Sequence, residues 1–286
     1  MAPSRYGVNM NEIETLKNEI YCLSFELEAM ADLLIRKEGE RWVPGFCDAI
    51  VEIEHLARYN WVAQFVSDKK VLDIACGCGH GTLLLAKEGK AKAVIGSDIS
   101  SKAIRYASIR NSYPNVSFVE SNAETFKTDE SVDVVVSFET IEHLPNADTF
   151  LDNVYSLLTD NGHFYVSTPI SKLSEDIKPV NPYHLKEWGF LEFQSMVGKY
   201  FEIEKVYVQL SIESHPFKLQ GLNWAIRRIK KVYESLVYEN KTYVKELKRS
   251  ALMVPIEWND AVFPVKMIGC SLSGYQILKC KKKVKG

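Results

Sequence analysis

The chain has 286 residues, 46% of them hydrophobic, enough to bury one substantial core and carry an appendage. Its formal net charge of −2 excludes whole-molecule attraction to nucleic acid or an anionic membrane. Six scattered cysteines without a C-x-x-C pair argue against a disulfide framework or a zinc site and favour a reducing, cytoplasmic setting. The N-terminus lacks a signal-like apolar run, and no stretch of about 18 apolar residues reads as a membrane span.

In chain order, Ile13, Leu16, Ile20, Leu23, Leu27, Met30 and Leu34 recur at alternating intervals of three and four, an a/d seam over three heptads. The seam predicts a helix that either pairs with a second copy, giving a homodimer, or lies as an amphipathic arm on its own domain. Leu33 and Ile35 favour the second arrangement at its C-terminal end. Arg41-Trp42-Val43-Pro44 breaks this helix, and another is expected from about residue 48, containing Glu54-His55-Leu56-Ala57-Arg58-Tyr59.

The stretch 71–82, VLDIACGCGHGT, then joins a short apolar strand (71–75) to Gly77, Gly79 and Gly81 and the helix-like TLLLAKEG. Glycines at such a turn let a ligand approach the main chain without meeting a Cβ. A second strand, 93–97, is followed by Asp98, an acid suited to chelate a ribose diol or to cap the helix 101–111, where Ser100 is the competing cap. Strands at 116–119, 132–138 and 162–168 lead into Asn122, Glu139 and Pro169 respectively. Strands alternating with helical stretches argue for a parallel α/β sheet, whose ligands sit beyond the strands' carboxyl ends.

The G-x-G-x-G spacing behind Asp73, the acid at Asp98 and the Ser121-Asn122-Ala123 step resemble class I S-adenosylmethionine-dependent methyltransferases. The resemblance covers roughly residues 48–210 and resumes in a final strand at 268–280. It implies a Rossmann-like, seven-stranded, mostly parallel sheet with helices on both faces, an N-terminal helical arm and a helical insertion before the last strand. It implies cofactor contacts for Asp73, Ala75, Gly77, Gly79, Gly81, Asp98, Ile99, Asn122, Ala123, Phe138 and Glu139. Asn122 departs from the Asp often found at its position, although its amide oxygen can accept the same bond from an adenine amino group. The E-R-x-x-P and E-H-x-x-R-Y stretches ahead of the glycine turn resemble enzymes of bacterial surface-polysaccharide biosynthesis. There Arg58 or Tyr59 would reach the methionine carboxylate, with Tyr59 and Trp61 as helix core the alternative.

After the fourth strand comes Glu139-Thr140-Ile141-Glu142-His143, and a later loop carries His184. In a helical turn, positions i, i+3 and i+4 share a face, so two carboxylates and an imidazole would point together. An alcohol acceptor needs a base or a metal beside it, and His184, then His143, are the candidate bases. The E-x-x-E-H pattern also resembles metal-dependent O-methyltransferases of ubiquinone biosynthesis and of small-RNA 3′ ends. That likeness implies Glu139, Glu142, His143 and His184 as ligands for Mg²⁺ or Mn²⁺.

Domain boundaries are expected at 1–45 (arm), 46–212 (cofactor-binding core), 213–262 (helical insertion) and 263–286 (last strand and basic tail). Residues 219–249 read as a basic helical stretch interleaved with aromatics, suited to an anionic substrate or to a solvated lid. Together these features predict O-methylation of a sugar hydroxyl on a surface glycan or its nucleotide-linked precursor. An RNA 3′ end or a small-molecule diol is the alternative acceptor. An NAD-dependent oxidoreductase or a non-catalytic binding protein on the same fold are the readings from other classes.

Overall fold

The computed structural model describes residues 10–32, 42–47, 49–171, 179, 181–210, 253–256 and 274–283. The seam's last residue, Leu34, its apolar neighbours Leu33 and Ile35, and the basic stretch 219–249 therefore lie outside the described residues. Eight strands form one sheet: β1 Lys70–Ile74, β2 Ala93–Asp98, β3 Val116–Glu120, β4 Val132–Phe138, β5 Leu158–Pro169, β6 Phe201–Leu210, β7 Met253–Ile256 and β8 Gly274–Lys282. Their order is β3-β2-β1-β4-β5-β8-β6-β7. The first five strands run parallel, and β8 inserts antiparallel between β5 and β6. These seven give the Rossmann-like arrangement expected, and β7 adds an eighth strand on the β6 edge.

The sequence explains the layering. β4 reads Val-Asp-Val-Val-Val-Ser-Phe and is buried on both faces, as a central parallel strand must be. Among the described residues are six α-helices: α1 Met10–Ala31, which packs on α4, and α2 Ala49–Val62, α3 His80–Lys87, α4 Ser101–Arg110, α5 Ala147–Leu157 and α6 Phe190–Val197, which flank the sheet. One core cluster sets Phe150, Leu151, Val154 and Phe193 of α5 and α6 against one side of the sheet. Tyr59, Val62, Leu85 and Ala86 of α2 and α3 fill the other. Among the described residues no helix is long and apolar enough to cross a membrane.

α1 packs on α4 through Cys22, Phe25 and Glu26, not through the expected seam. Phe25 stacks on Tyr106 with ring centroids 4.7 Å apart, and the Tyr106 hydroxyl donates to Glu26 at 3.0 Å. Arg110 adds two bonds to Glu19 and one to Glu26. The arm thus lies on its own domain, while Leu16, Ile20, Leu23 and Leu27 of the seam face outward.

Close packing of α2 on α3 depends on Gly81. A Cβ there would come within 2.1–2.5 Å of the Tyr59 ring. Gly81→Ala should therefore cost about 1–3 kcal/mol through overpacking. Urea unfolding would show this as a lower midpoint at unchanged slope. An unchanged midpoint would mean that the Tyr59 ring is free to retreat.

Candidate functional site

Strand order reverses between β1 and β4, and a cavity of about 970 Å³ opens at the carboxyl ends there. Ala75, Cys76 and Gly77 beyond β1, Asp98 and Ile99 at β2, Asn122 and Ala123 beyond β3, and Phe138 and Glu139 at β4 line it. Two of these, Ala75 (φ +61°) and Glu139 (φ +52°), hold left-handed backbone without being glycine. Such strain costs on the order of 1–3 kcal/mol and collects where a site over-determines the chain.

The three glycines of the turn do different work. Gly77 (φ +55°) has no atom within 4 Å of where a Cβ would stand, so its open side belongs to the cavity. Gly79 and Gly81 do not line the crevice, contrary to expectation. A Cβ on Gly79 would meet the Phe118 ring at 2.5 Å, and Gly81 lies under Tyr59, so both serve packing.

Asp73 is also set back from the surface. It is fully buried, with Oδ1 accepting from the Tyr59 hydroxyl at 2.9 Å and Oδ2 from Thr82 Oγ1 at 2.6 Å. It braces the turn from beneath instead of walling the cavity. Asp98 lines the cavity and holds the turn from the front, accepting from the Gly77 N–H at 2.8 Å and the Ser100 N–H at 2.9 Å. The cap of α4 is Ser100, whose hydroxyl accepts from the Ala103 N–H, so Asp98 is not the helix cap. Asn122 Oδ1 already accepts from the Glu124 N–H at 2.8 Å, leaving its second lone pair for an adenine amino group.

Arg58 is fully buried behind the crevice wall and does not line it: Nη1 donates to Gln209 Oε1 at 2.7 Å, and the guanidinium lies 4.6 Å from the ring centroid of Tyr275, which does line the cavity. The neighbouring Tyr59 lines the cavity in its place. Trp61 is core, packed edge-on to Tyr165 and Tyr207.

The acid and imidazole cluster forms only in part. Residues Ile141–His143 make a single 3-10 turn, and the left-handed step at Glu139 swings that residue off the shared face. Its Oε1 accepts from Ser167 Oγ at 2.5 Å. Glu142, His143 and His184 do converge, each offering a ligand atom within 4.8 Å of the others. Glu142 is fully buried, with Oε2 accepting from Thr168 Oγ1 and Oε1 unbonded among the described residues. Its main-chain oxygen accepts from the Leu185 N–H at 2.8 Å, which anchors the His184 loop over the turn. Burial drives the Glu142 carboxyl well above the ordinary range, with Glu139 adding to the rise. Burial also raises Glu139, opposed by the charge of Arg58.

The imidazoles are held by their neighbours. His184 Nδ1 lies 2.6 Å from Glu187 Oε1 and its Nε2 lies 2.9 Å from Asn181 Nδ2. This network assigns the proton to Nδ1, donating to Glu187, with Nε2 accepting from the amide. His143 Nδ1 pairs with the Tyr183 carbonyl at 3.0 Å, and the two rings meet edge to face at 4.8 Å.

A family model described as a methyltransferase domain matches residues 65–213, more than half of the chain. The chain belongs to this methyltransferase family. It is 34% identical over 171 residues to a Mycolicibacterium smegmatis protein named "Probable S-adenosylmethionine-dependent methyltransferase", covering 58% of this chain and 65% of that one. It is 35% identical over 117 residues to the ubiquinone biosynthesis O-methyltransferase of Cupriavidus pinatubonensis, covering 39% of this chain and 46% of that one. The chain thus spans less than two thirds of the curated relatives' length. Among solved structures, NodS, an N-methyltransferase from Bradyrhizobium japonicum in complex with S-adenosyl-l-homocysteine, overlays with a TM-score of 0.53 at 12% identity, covering 91% of this chain and 99% of NodS. At that identity the overlay speaks to the fold.

Within this member of the family, the sequence motifs gave no role to the outer wall. Phe25, Glu28 and Ala29 of α1 and Asp32 just beyond it line the cavity, as do Trp42, His55 and His80. Trp42 lies 5.3–5.9 Å from the rings of His55, Tyr59 and His80. Burial pushes His55 down to about 3 and His80 down to about 4, so both are neutral at pH 7. Only the arm's amphipathicity signalled its partner surface, and Trp42, His55 and His80 stood within the stretches read from the sequence without being given a role there.

The Asp73 carboxyl makes a testable case. Burial raises it to about 6, against the hydrogen bonds from Thr82 and Tyr59 and with a contribution from Asp98. The folded state therefore holds this proton more tightly than the unfolded chain, where an aspartate titrates near ~3.9. The group's contribution is complete below about pH 4 and is lost as pH rises through about 6, a change of about 3 kcal/mol. Asp73→Asn has no such proton. Relative to wild type it should gain about 3 kcal/mol in unfolding free energy between about pH 4 and pH 7. Parallel pH profiles for the two proteins would show that Asp73 titrates in the fold as it does unfolded.

Proposed function

We propose that this protein transfers the methyl group of S-adenosylmethionine to a hydroxyl of a polyhydroxylated small molecule, a sugar of a surface glycan or of its nucleotide-linked precursor. The observation that carries the reading is the crevice at the strand-order reversal. It pairs the bare Gly77 and the Asp98 carboxylate on one side with two imidazoles and a buried carboxyl on the other. The cofactor supplies an activated methyl on a sulfonium with a good leaving group. Asp98 receives the ribose hydroxyls, Ile99, Ala123 and Phe138 hold the adenine and ribose by apolar contact, and Ala75 and Gly77 offer main chain to the methionine part. The acceptor lies toward His143 and His184. Its oxygen lone pair forms the new C–O bond as the C–S pair returns to sulfur, and its proton passes to an imidazole. Glu187 fixes the His184 tautomer, and Asn181 must release Nε2 before His184 can take that proton.

A second reading is favoured by the convergence of Glu142, His143 and His184. These three suit Mg²⁺ or Mn²⁺, with Glu187 as the carboxylate that orients His184 from behind. The unbonded Glu142 Oε1 is the kind of buried acceptor a cation would satisfy. The ion would grip vicinal hydroxyls of the acceptor. The free thiols among the described residues fit a reducing compartment, and on that ground the protein is assigned to the cytoplasm. Pairing through α1 is taken up below.

Calorimetry should show micromolar binding of S-adenosylmethionine and S-adenosylhomocysteine and none of NAD. Asp98→Ala should weaken both by about 10- to 100-fold, the worth of charge-assisted bonds. Absence of binding to wild type would remove the reading. Methyl transfer to nucleotide sugars should fall by about 10²- to 10⁴-fold in His184→Ala while cofactor affinity holds. Full turnover in that variant would take His184 out of both the base and the ligand role. Loss of activity on chelation and recovery with Mn²⁺ would decide for the metal.

A further inference from the structure

We propose that the outward stripe of α1 pairs in parallel with the same stripe of a second copy, and that this pairing sets how tightly the crevice holds its cofactor. The proposal rests on the cofactor reading above.

α1 is apolar on two opposite sides. One side, Tyr21, Cys22, Phe25 and Ala29, is spent on α4. The other is the a/d seam, where Leu16, Ile20, Leu23 and Leu27 are 62%, 63%, 48% and 59% exposed. Four large aliphatic side chains in register on one face of a surface helix need a partner, because scattered exposure does not repeat every three or four residues.

The identities at each position choose the partner. Ile13, Ile20 and Leu27 stand at a, with Leu16, Leu23 and Met30 at d, so the first two heptads carry isoleucine at a over leucine at d. β-Branched residues at a with leucine at d favour two parallel strands. The flanking charges agree. In a parallel pair Glu12 at g faces Lys17 at e of the second copy, Glu19 faces Ser24, and Glu26 faces Ala31. An antiparallel pair would instead set g against g, glutamate against glutamate. Glu19 and Glu26 are tied back to Arg110 and Tyr106 in either arrangement, so the g-position charge that discriminates is Glu12, which faces Lys17 only in the parallel pair.

The link to the crevice follows from what the inner face touches. Phe25, Glu28, Ala29 and Asp32 form the cavity wall beside Asp98, Ile99 and Lys102, and Lys102 Nζ reaches Glu28 at 3.5 Å across the gap. This wall meets the body through a small buried cluster of Cys22, Phe25 and Tyr106, the buried Tyr106–Glu26 bond, and more exposed ion pairs of Arg110 and Lys102 around them. A second helix on its back would hold it against α4, so cofactor bound under the arm and a copy bound over it stabilise the same seating.

The test uses the full chain. Sedimentation at ~50 µM should give wild type near twice the 32.6 kDa chain mass, dissociating in the micromolar range. Leu16→Ser/Leu23→Ser, both at exposed positions, should sediment as a folded monomer by circular dichroism. It should bind S-adenosylhomocysteine about tenfold more weakly. Glu12→Lys should weaken the dimer, and adding Lys17→Glu should restore it. That reciprocal rescue would not follow from a structural defect. A monomeric wild type overturns the pairing. A monomeric double variant with wild-type affinity overturns the coupling. A dimeric wild type that binds no S-adenosylhomocysteine overturns the cofactor reading and the coupling while the pairing stands.

Discussion

The cofactor end of this protein depends on one buried carboxylate. Asp73 ends β1 and accepts a hydroxyl from α2 and another from α3, so strand, preceding helix and following helix are joined at a single residue. An isolated buried carboxylate is too costly to keep, and the two O–H donors are what make it tolerable. They also dictate the neighbourhood. For Tyr59 to reach Asp73 its ring must cross α3, and it can do so only because position 81 has no side chain. With the turn braced from beneath, the Gly77 N–H is left facing Asp98, and the crevice wall is built from main chain.

Across the crevice the same physics is used with a different balance. Glu139 and Glu142 are both buried, and both carboxyls are raised by it. Arg58, itself fully buried beneath them, relieves Glu139 first, while Glu142 feels Glu139 as a like charge. Of the two, Glu142 is therefore the carboxyl held more strongly in its protonated form. A neutral Glu142 is a hydrogen-bond donor toward a ligand oxygen, and a cation in the cluster would reverse that state. One set of side chains can in this way serve either acid–base or metal-assisted activation of a hydroxyl.

Much of this was legible in the sequence, for identifiable reasons. Strand β4 was readable residue for residue because a strand buried on both faces is an unbroken apolar run. The glycine turn announced a ligand site by spacing. What spacing cannot tell is which glycine faces the ligand, because the atoms that exclude a Cβ at Gly79 and Gly81 come from Phe118 and Tyr59, distant in the chain. Likewise, the helical i, i+3, i+4 reading of Glu139, Glu142 and His143 failed at one dihedral. The chain leaves β4 by a left-handed step that no propensity scale assigns to glutamate. Arg58 looked like a carboxylate clamp by type, yet its direction is set by Gln209 and Tyr275, two strands from the far end of the sequence.

The arm is the instructive case, since its pattern was real and its contact was not the one the pattern named. A helix that must seat on a body and also present a seam carries two periodicities at once, and the stronger apolar one masks the weaker. Cys22, Phe25 and Ala29 are small or lone apolar residues among glutamates, and only Tyr106 and Arg110 on α4 make them a face. The crevice is then asymmetric. Its sheet side is fixed by β1, β2 and β4, whose core positions belong to the two large clusters, whereas its arm side rests on the small separate cluster of Cys22, Phe25 and Tyr106, ringed by ion pairs of Arg110.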